Sequence, residues 1–158
     1  MTAADPPIRR ILAVCAGNIC RSPAAEAAIR RAGLQAGLEL EVDSAGTGSW
    51  HLGQPPHPRS VAAAARVGLE LSGTARQVSP ADLESFDLVV AMDRWNHDDL
   101  LAIAPDPAAR AKIRMFRPDG QDVPDPYHGS ERDYEDMIAI VVPAAEALVA
   151  RLTAGKPT

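Results

Sequence analysis

The feature that most restricts how this chain can fold is an alternation of short apolar runs with alanine-rich or amphipathic segments. Residues 10–14 (RILAV) read as a short buried strand, and residues 23–36 as a helix opened by Ser22-Pro23. A second strand is predicted over 38–46 (LELEVDSAG) with a helix over 60–68 (SVAAAARVG), and a third over 86–91 (FDLVVA) with a helix over 95–104 (WNHDDLLAIA). KIRMF (112–116) reads as a fourth strand, and in the last helix Met137, Ile140, Val141, Ala144, Leu148 and Leu152 recur at helical spacing. Strands separated by helices form βαβ units, which gives an α/β fold with a four-stranded parallel sheet covered by helices on both faces. At the start of the first helix Ser22 is expected as the N-cap with Pro23 at the first helical position, and Glu26 adds a favourable charge near that end. Pro143 is expected either to kink the last helix or to restart it.

No internal repeat or linker divides the 158 residues, so a single domain over 1–158 is expected, with residues 1–7 and 154–158 as flexible ends. Hydrophobic residues make up 46% and charged residues 23%, a globular composition. The net charge of -5 argues against a nucleic-acid binder, which needs a basic face. No apolar stretch reads as long enough to span a bilayer, and MTAADPPIRR lacks the pattern of a secretory signal. With two cysteines in all, the expected compartment is a reducing cytoplasm, where the thiols are reactive or buried rather than a structural disulfide. Histidines 51, 57, 97 and 128 show no metal-ligand spacing with the cysteines, and no metal or other cofactor is expected.

In such a sheet ligands bind beyond the carboxyl ends of the strands, and Cys15 lies just past the first one. Gly17 and Asn18 tolerate unusual backbone conformations, which allows the loop Cys15–Arg21 to curl until its N–H groups converge beside a helix N-terminus. Arg21 adds a planar fork suited to two oxygens of a phosphate. The positive field of such a cradle favours the thiolate of a cysteine held in it, so that nucleophile and oxyanion site are one structure. The alternative for Cys15, a small buried hydrophobe ending a strand, is outweighed by the combination of cysteine, five loop residues, arginine and Ser-Pro helix start directly after a strand.

CAGNICRSPAAEA closely resembles the signature of the low-molecular-weight protein tyrosine phosphatases. The likeness continues through VDSAGTGSWHLGQPPHPRS, FDLVVAMDRWN and VPDPY, in the family's order along nearly the whole chain. The resemblance implies a flavodoxin-like arrangement with the phosphate loop after the first strand. It also implies hydrolysis of phosphotyrosine in proteins, and of small aryl phosphates, without a cofactor. Cys15 matches the nucleophile that takes up the phosphoryl group, Arg21 the clamp on the equatorial oxygens, and Asp125 of DPY the general acid. Ala16, Gly17, Asn18, Ile19, Cys20 and Ser22 match the phosphate-binding loop, and Asn18, Ser22 and Ser44 the polar network that holds its shape. Trp50 and Tyr127 match the aromatic walls of the pocket, with Ile19 and Ala16 on the loop side; core or surface aromatics are the alternative. Cys20 matches the neighbouring thiol that forms a reversible disulfide under oxidants, or it simply packs beneath the loop.

Two departures stand out. Where many relatives brace the loop with a histidine before Ala-Arg-Gln, this chain has Gly73, and His128 replaces a second aromatic after the DPY tyrosine, which makes the pocket rim more polar. Ile19 rather than threonine favours phosphotyrosine over the phosphoarginine specificity of related enzymes. An arsenate reductase built on the same fold is the other alternative, but it needs cysteines downstream of Cys20 and there are none. The implied partners are tyrosine-phosphorylated proteins and oxyanions, with no nucleic acid or membrane, and the enzyme is expected to be mostly monomeric.

Overall fold

The computed structural model describes residues 7–154. Four strands, β1 (Arg10–Cys15), β2 (Glu41–Gly46), β3 (Leu88–Ala91) and β4 (Ile113–Met115), form one sheet in the order β2-β1-β3-β4. Every pairing is parallel, with Val14 opposite Ala45 on one side and Ala91 on the other. The expected α/β architecture is therefore present.

Side chains alternate across β1, so Ile11, Ala13 and Cys15 enter one core and Leu12 and Val14 the other. Helices α1 (Arg21–Gln35), α2 (Pro58–Ala65) and α6 (Glu131–Ala154) cover the first face. The other face carries α3 (Pro80–Ser85), α4 (Arg94–Ile103) and α5 (Pro107–Ala111), through Leu83, Leu100 and Ala109. Burial on both faces explains why β1 and β3 read as unbroken apolar runs rather than alternating ones.

Four expectations change. Short helices α3 and α5 were not anticipated; Ser79 opens the first with a capping box and Asp106 caps the second. Helix α1 begins at Arg21, so Ser22 is not its N-cap and Pro23 is its third residue; Cys20 stands at the cap without a side-chain bond. Pro143 does not restart α6 as a second helix: the helix runs as one element over 24 residues, with Pro143 on its solvent side, where the carbonyl it leaves free can be hydrated. That helix is also long and apolar enough to cross a membrane by composition, with a mean hydropathy of 1.8 over its most apolar window, contrary to the sequence expectation. Its packing gives another reason for that composition. Tyr134, Met137, Val141, Ala145 and Leu148 are buried in the core against α1 and α2. The expected flexible ends lie outside the described residues, apart from the exposed Pro7 and Ala154.

Candidate active site

β1 delivers Cys15 to its carboxyl end, and the chain then turns through Ala16–Cys20 into α1. Neighbouring segments fix that turn: Thr47 and Gly48 donate to the carbonyls of Cys15 and Ala16, and His57 donates to that of Ile19 (2.9, 3.0 and 2.8 Å). Ser60 adds a bond from its hydroxyl to the Cys20 carbonyl (3.0 Å). Only Asn18 adopts the left-handed conformation, at φ 58°, which asparagine tolerates. Gly17 does not share it. Its small size matters for a different reason: a Cβ there would lie 2.8 Å from Cδ2 of His51 and push that ring aside.

The Cys15 sulfur receives the Asn18 N–H at 3.2 Å and lies 3.0 Å from the Ser22 hydroxyl. Asn18 Nδ2 donates to both Ser22 Oγ (2.8 Å) and Ser44 Oγ (3.0 Å), and its Oδ1 accepts from the Arg76 N–H (3.0 Å). Because Ser22 accepts from Asn18, its own proton is left for the sulfur. Ser44 in turn donates to Glu26 (2.7 Å), whose other oxygen accepts from Arg30 (2.7 Å). Glu26 thus anchors the loop network, a more specific role than the expected dipole charge. Two donors on one sulfur are stronger when it is anionic. The Arg76 amide, from the segment after Gly73, supplies the bracing bond to Asn18 here.

Arg21 opens α1 and is 2% exposed. Its NH1 donates to Asp93 Oδ2 (2.7 Å) and to the Val123 carbonyl (3.0 Å), while NH2 is 3.6 Å from Asp125 Oδ2. Nε has no partner, although it is buried. A buried N–H left unpaired is costly and is normally avoided, and the fork geometry of a guanidinium edge suits two oxygens of an anion. Burial opposes the arginine's charge, but Cys15, Asp93 and Asp125 more than offset it and hold the pKa above that of an ordinary arginine. No side chain caps the α1 N-terminus, an arrangement that suits an anion.

Cys15, Arg21 and Asp125 line one cavity of about 180 Å³, together with Ala16, Gly17, Ile19, Cys20, Trp50 and Tyr127. Asp125 is held by the Tyr127 N–H on its Oδ1 (3.1 Å). Trp50 and Tyr127 are 70% and 40% exposed, so neither is a core aromatic. His51, which the sequence reading passed over, also lines the cavity, between Gly17 and the Tyr127 ring (centroids 5.5 Å apart). His128, expected on the wall, is not among the lining residues; it packs edge-on against the Tyr127 ring and lines a neighbouring cavity instead. Cys20 is buried beside the Tyr134 hydroxyl (3.8 Å), and burial is the main cause that pushes its thiol up to about 12. Both cysteines are free. Asp93 and Arg76 escaped notice in the sequence because their partners are 72 and 58 residues away.

The family model described as low molecular weight phosphotyrosine protein phosphatase matches residues 10–157. The chain belongs to that family. A low-molecular-weight protein-tyrosine-phosphatase of Streptomyces coelicolor is 41% identical over 150 residues, 89% of this chain and 92% of the relative. Among solved structures, a protein tyrosine phosphatase from Entamoeba histolytica with Hepes in its active site superposes with a TM-score of 0.89 at 36% identity. The match covers 94% of this chain and 99% of that one. Wzb of Vibrio vulnificus, in complex with benzylphosphonate, gives 0.84 at 27% identity over 91% and 99% of the two chains. As a low-molecular-weight phosphatase, the chain is a hydrolase, and its candidate site falls where its strand order reverses, at the end of β1.

Proposed function

We propose that this phosphatase hydrolyses phosphotyrosine in proteins, and small aryl phosphates, through a cysteinyl-phosphate intermediate. The observation that carries this reading is one cavity lined by both the Cys15 sulfur, with two donors on it, and Arg21, whose Nε is unpaired. The benzylphosphonate in Wzb, an aryl-methyl phosphonate, is the kind of ligand such a cavity takes.

The phosphoryl oxygens sit on the loop amides and the Arg21 fork, and the ring lies between Trp50 and Tyr127. The Cys15 thiolate attacks phosphorus; the S–P bond forms as the O–P bond to the phenol breaks, and Asp125 gives its proton to the leaving oxygen. Asp125, now a carboxylate, takes a proton from water as the water oxygen attacks phosphorus. The S–P bond breaks, phosphate leaves, and the thiolate returns to the Asn18 N–H and Ser22 hydroxyl. Proton transfer of this kind is worth ~10²–10⁴ in rate. The buried Cys20 thiol is the candidate partner for an oxidised Cys15. Two unpaired thiols suit a reducing cytoplasm.

Hydrolysis of p-nitrophenyl phosphate in buffer with chelator tests the reading. Wild type should turn over, Cys15→Ser should be inactive, and Asp125→Asn should lose ~10²-fold or more in kcat. Full activity in Cys15→Ser would overturn the covalent mechanism.

A further inference from the structure

Pro124-Asp125-Pro126-Tyr127 is a thin partition with a cavity on each side. The catalytic cavity is one. The other, of about 580 Å³, lies against α6, and Asp125 and Tyr127 line both. Two prolines stiffen the partition and remove backbone donors from it. The far cavity has an apolar floor that includes Met137 and Ile140, with carboxylates of Asp133 and Asp136 among its lining.

These two carboxylates differ. Asp133 is already committed, accepting the N–H and hydroxyl of Ser130 at the start of α6 (2.7 and 3.2 Å). Asp136 is 61% exposed, and its ion-pair partner is the still more exposed Arg132, at 3.4 Å on the same helix. Such exposed pairs contribute little, and arginine N-terminal to the acid is the less favourable orientation. A cation arriving from outside can therefore take Arg132's place. The neighbouring Glu131 adds negative charge to this end of α6, while Glu135 is already paired with Arg66.

We infer that the second cavity is a docking subsite for the polypeptide flanking the phosphotyrosine, and that it selects lysine or arginine there. This rests on the phosphatase reading. With the phosphorylated ring against one side of Tyr127, the substrate main chain emerges at the top of the partition. An extended chain advances about 3.3 Å per residue, so a residue one to three positions away crosses to the other side. The methylenes of its side chain cover Met137 and Ile140, and its cation meets Asp136. Long basic side chains suit such a site because stem and head want different surroundings. A glutamate at the same position brings a like charge up to Asp136.

The test uses phosphotyrosine peptides identical except for arginine, alanine or glutamate at each of three positions on either side, with p-nitrophenyl phosphate as reference. Wild type should prefer arginine over glutamate at one or more positions by roughly three- to tenfold in kcat/KM, as expected for a partly exposed charge pair. Asp136→Asn should shrink that preference, Asp136→Lys should reverse it, and high salt should weaken it. Turnover of p-nitrophenyl phosphate should stay within about twofold in both variants, since Asp136 is outside the catalytic cavity. Equal rates for the arginine and glutamate peptides in wild type, or a preference unchanged in Asp136→Lys, would overturn the docking subsite alone. A wild type inert toward p-nitrophenyl phosphate would instead remove the phosphatase reading, and the subsite with it.

Discussion

Replacing Asp93 separates two jobs done by one side chain. Its Oδ2 accepts from Arg21 NH1 at 2.7 Å, and its Oδ1 accepts from the Asn96 N–H at 2.7 Å as the N-cap of α4. Arg21 and Asp93 side chains are 3% and 15% exposed, so solvent can replace neither partner easily. Asp93→Ala removes both bonds. Breaking a buried pair from one side costs about 3–5 kcal/mol; Arg21 keeps its bond to the Val123 carbonyl and faces an open cavity, which sets the expectation near the lower end, about 3 kcal/mol. Asp93→Asn has one oxygen where aspartate has two. If that oxygen caps α4, an amide N–H₂ faces the guanidinium, donor against donor; if it turns to Arg21, the cap is lost, at about 1 kcal/mol. Either way the variant is less stable than wild type and more stable than Asp93→Ala.

The catalytic consequence follows from the same bond. A hydrogen bond between charged groups is worth about 1.5–3 kcal/mol, and about 1.4 kcal/mol corresponds to tenfold in rate. Losing Arg21's anchor while its charge remains should lower kcat/KM for p-nitrophenyl phosphate by roughly tenfold to a hundredfold in Asp93→Ala. Inhibition by inorganic phosphate should weaken in parallel, because the same fork binds it. Thermal melts and steady-state kinetics on the two variants decide the matter. If Asp93→Ala melts lower yet keeps kcat/KM within about twofold, Asp93 serves only α4, and the fork is positioned by the loop and Val123 alone.

Two further outcomes are expected. His57 caps α2 by accepting the Arg59 N–H on Nδ1 (3.1 Å), and burial first, then Arg59 and His51, lower its pKa below 6.5. As pH falls through 6.5 the unfolded chain takes up a proton that the native imidazole declines, so stability declines on the acid side of that value. His57→Asn keeps a capping acceptor but cannot titrate, and its melting temperature should fall less than wild type's between about pH 7.5 and 5.5; identical slopes would refute the assignment. With its pKa raised to about 12, Cys20 should resist iodoacetamide at neutral pH while Cys15 is alkylated, as read by peptide mass spectrometry. Equal labelling of both thiols would contradict the buried Cys20 environment.

Much of this was legible in the sequence because β1 and β3 are buried on both faces and so appear as short unbroken apolar runs, each followed by a helix start. Helices α3 and α5, of six and five residues, are too short to show a period, although Ser79-Pro80 and Asp106-Pro107 carried the start signal. Ser22 is the instructive error. A Ser-Pro pair ordinarily marks N-cap and first turn, yet here the helix begins one residue before Ser22. That shift leaves the terminal amides free and turns the serine hydroxyl toward Cys15 rather than toward its own helix. A local rule gave way where the chemistry of the loop required the group elsewhere.

What local sequence patterns alone do not reveal is long-range, and the strand order explains it. With β1 between β2 and β3, the groups that brace the loop come from the ends of its two neighbours. Ser44, in β2, reaches Asn18 from one side, while Asp93, just past β3, reaches Arg21 from the other. Ser44 is expected only through the family resemblance and Asp93 is not singled out; each matters because parallel pairing brings it to the carboxyl end of β1, with Ser44 opposite Ala13 and Asp93 two residues past the partner of Val14. A serine in an alternating strand and an aspartate before a helix are ordinary in isolation. They become parts of the proposed phosphate site only when the crossovers on both sides of β1 are made, so the fold itself, rather than the seven-residue loop, supplies the rigidity that such a loop would need to hold an anion.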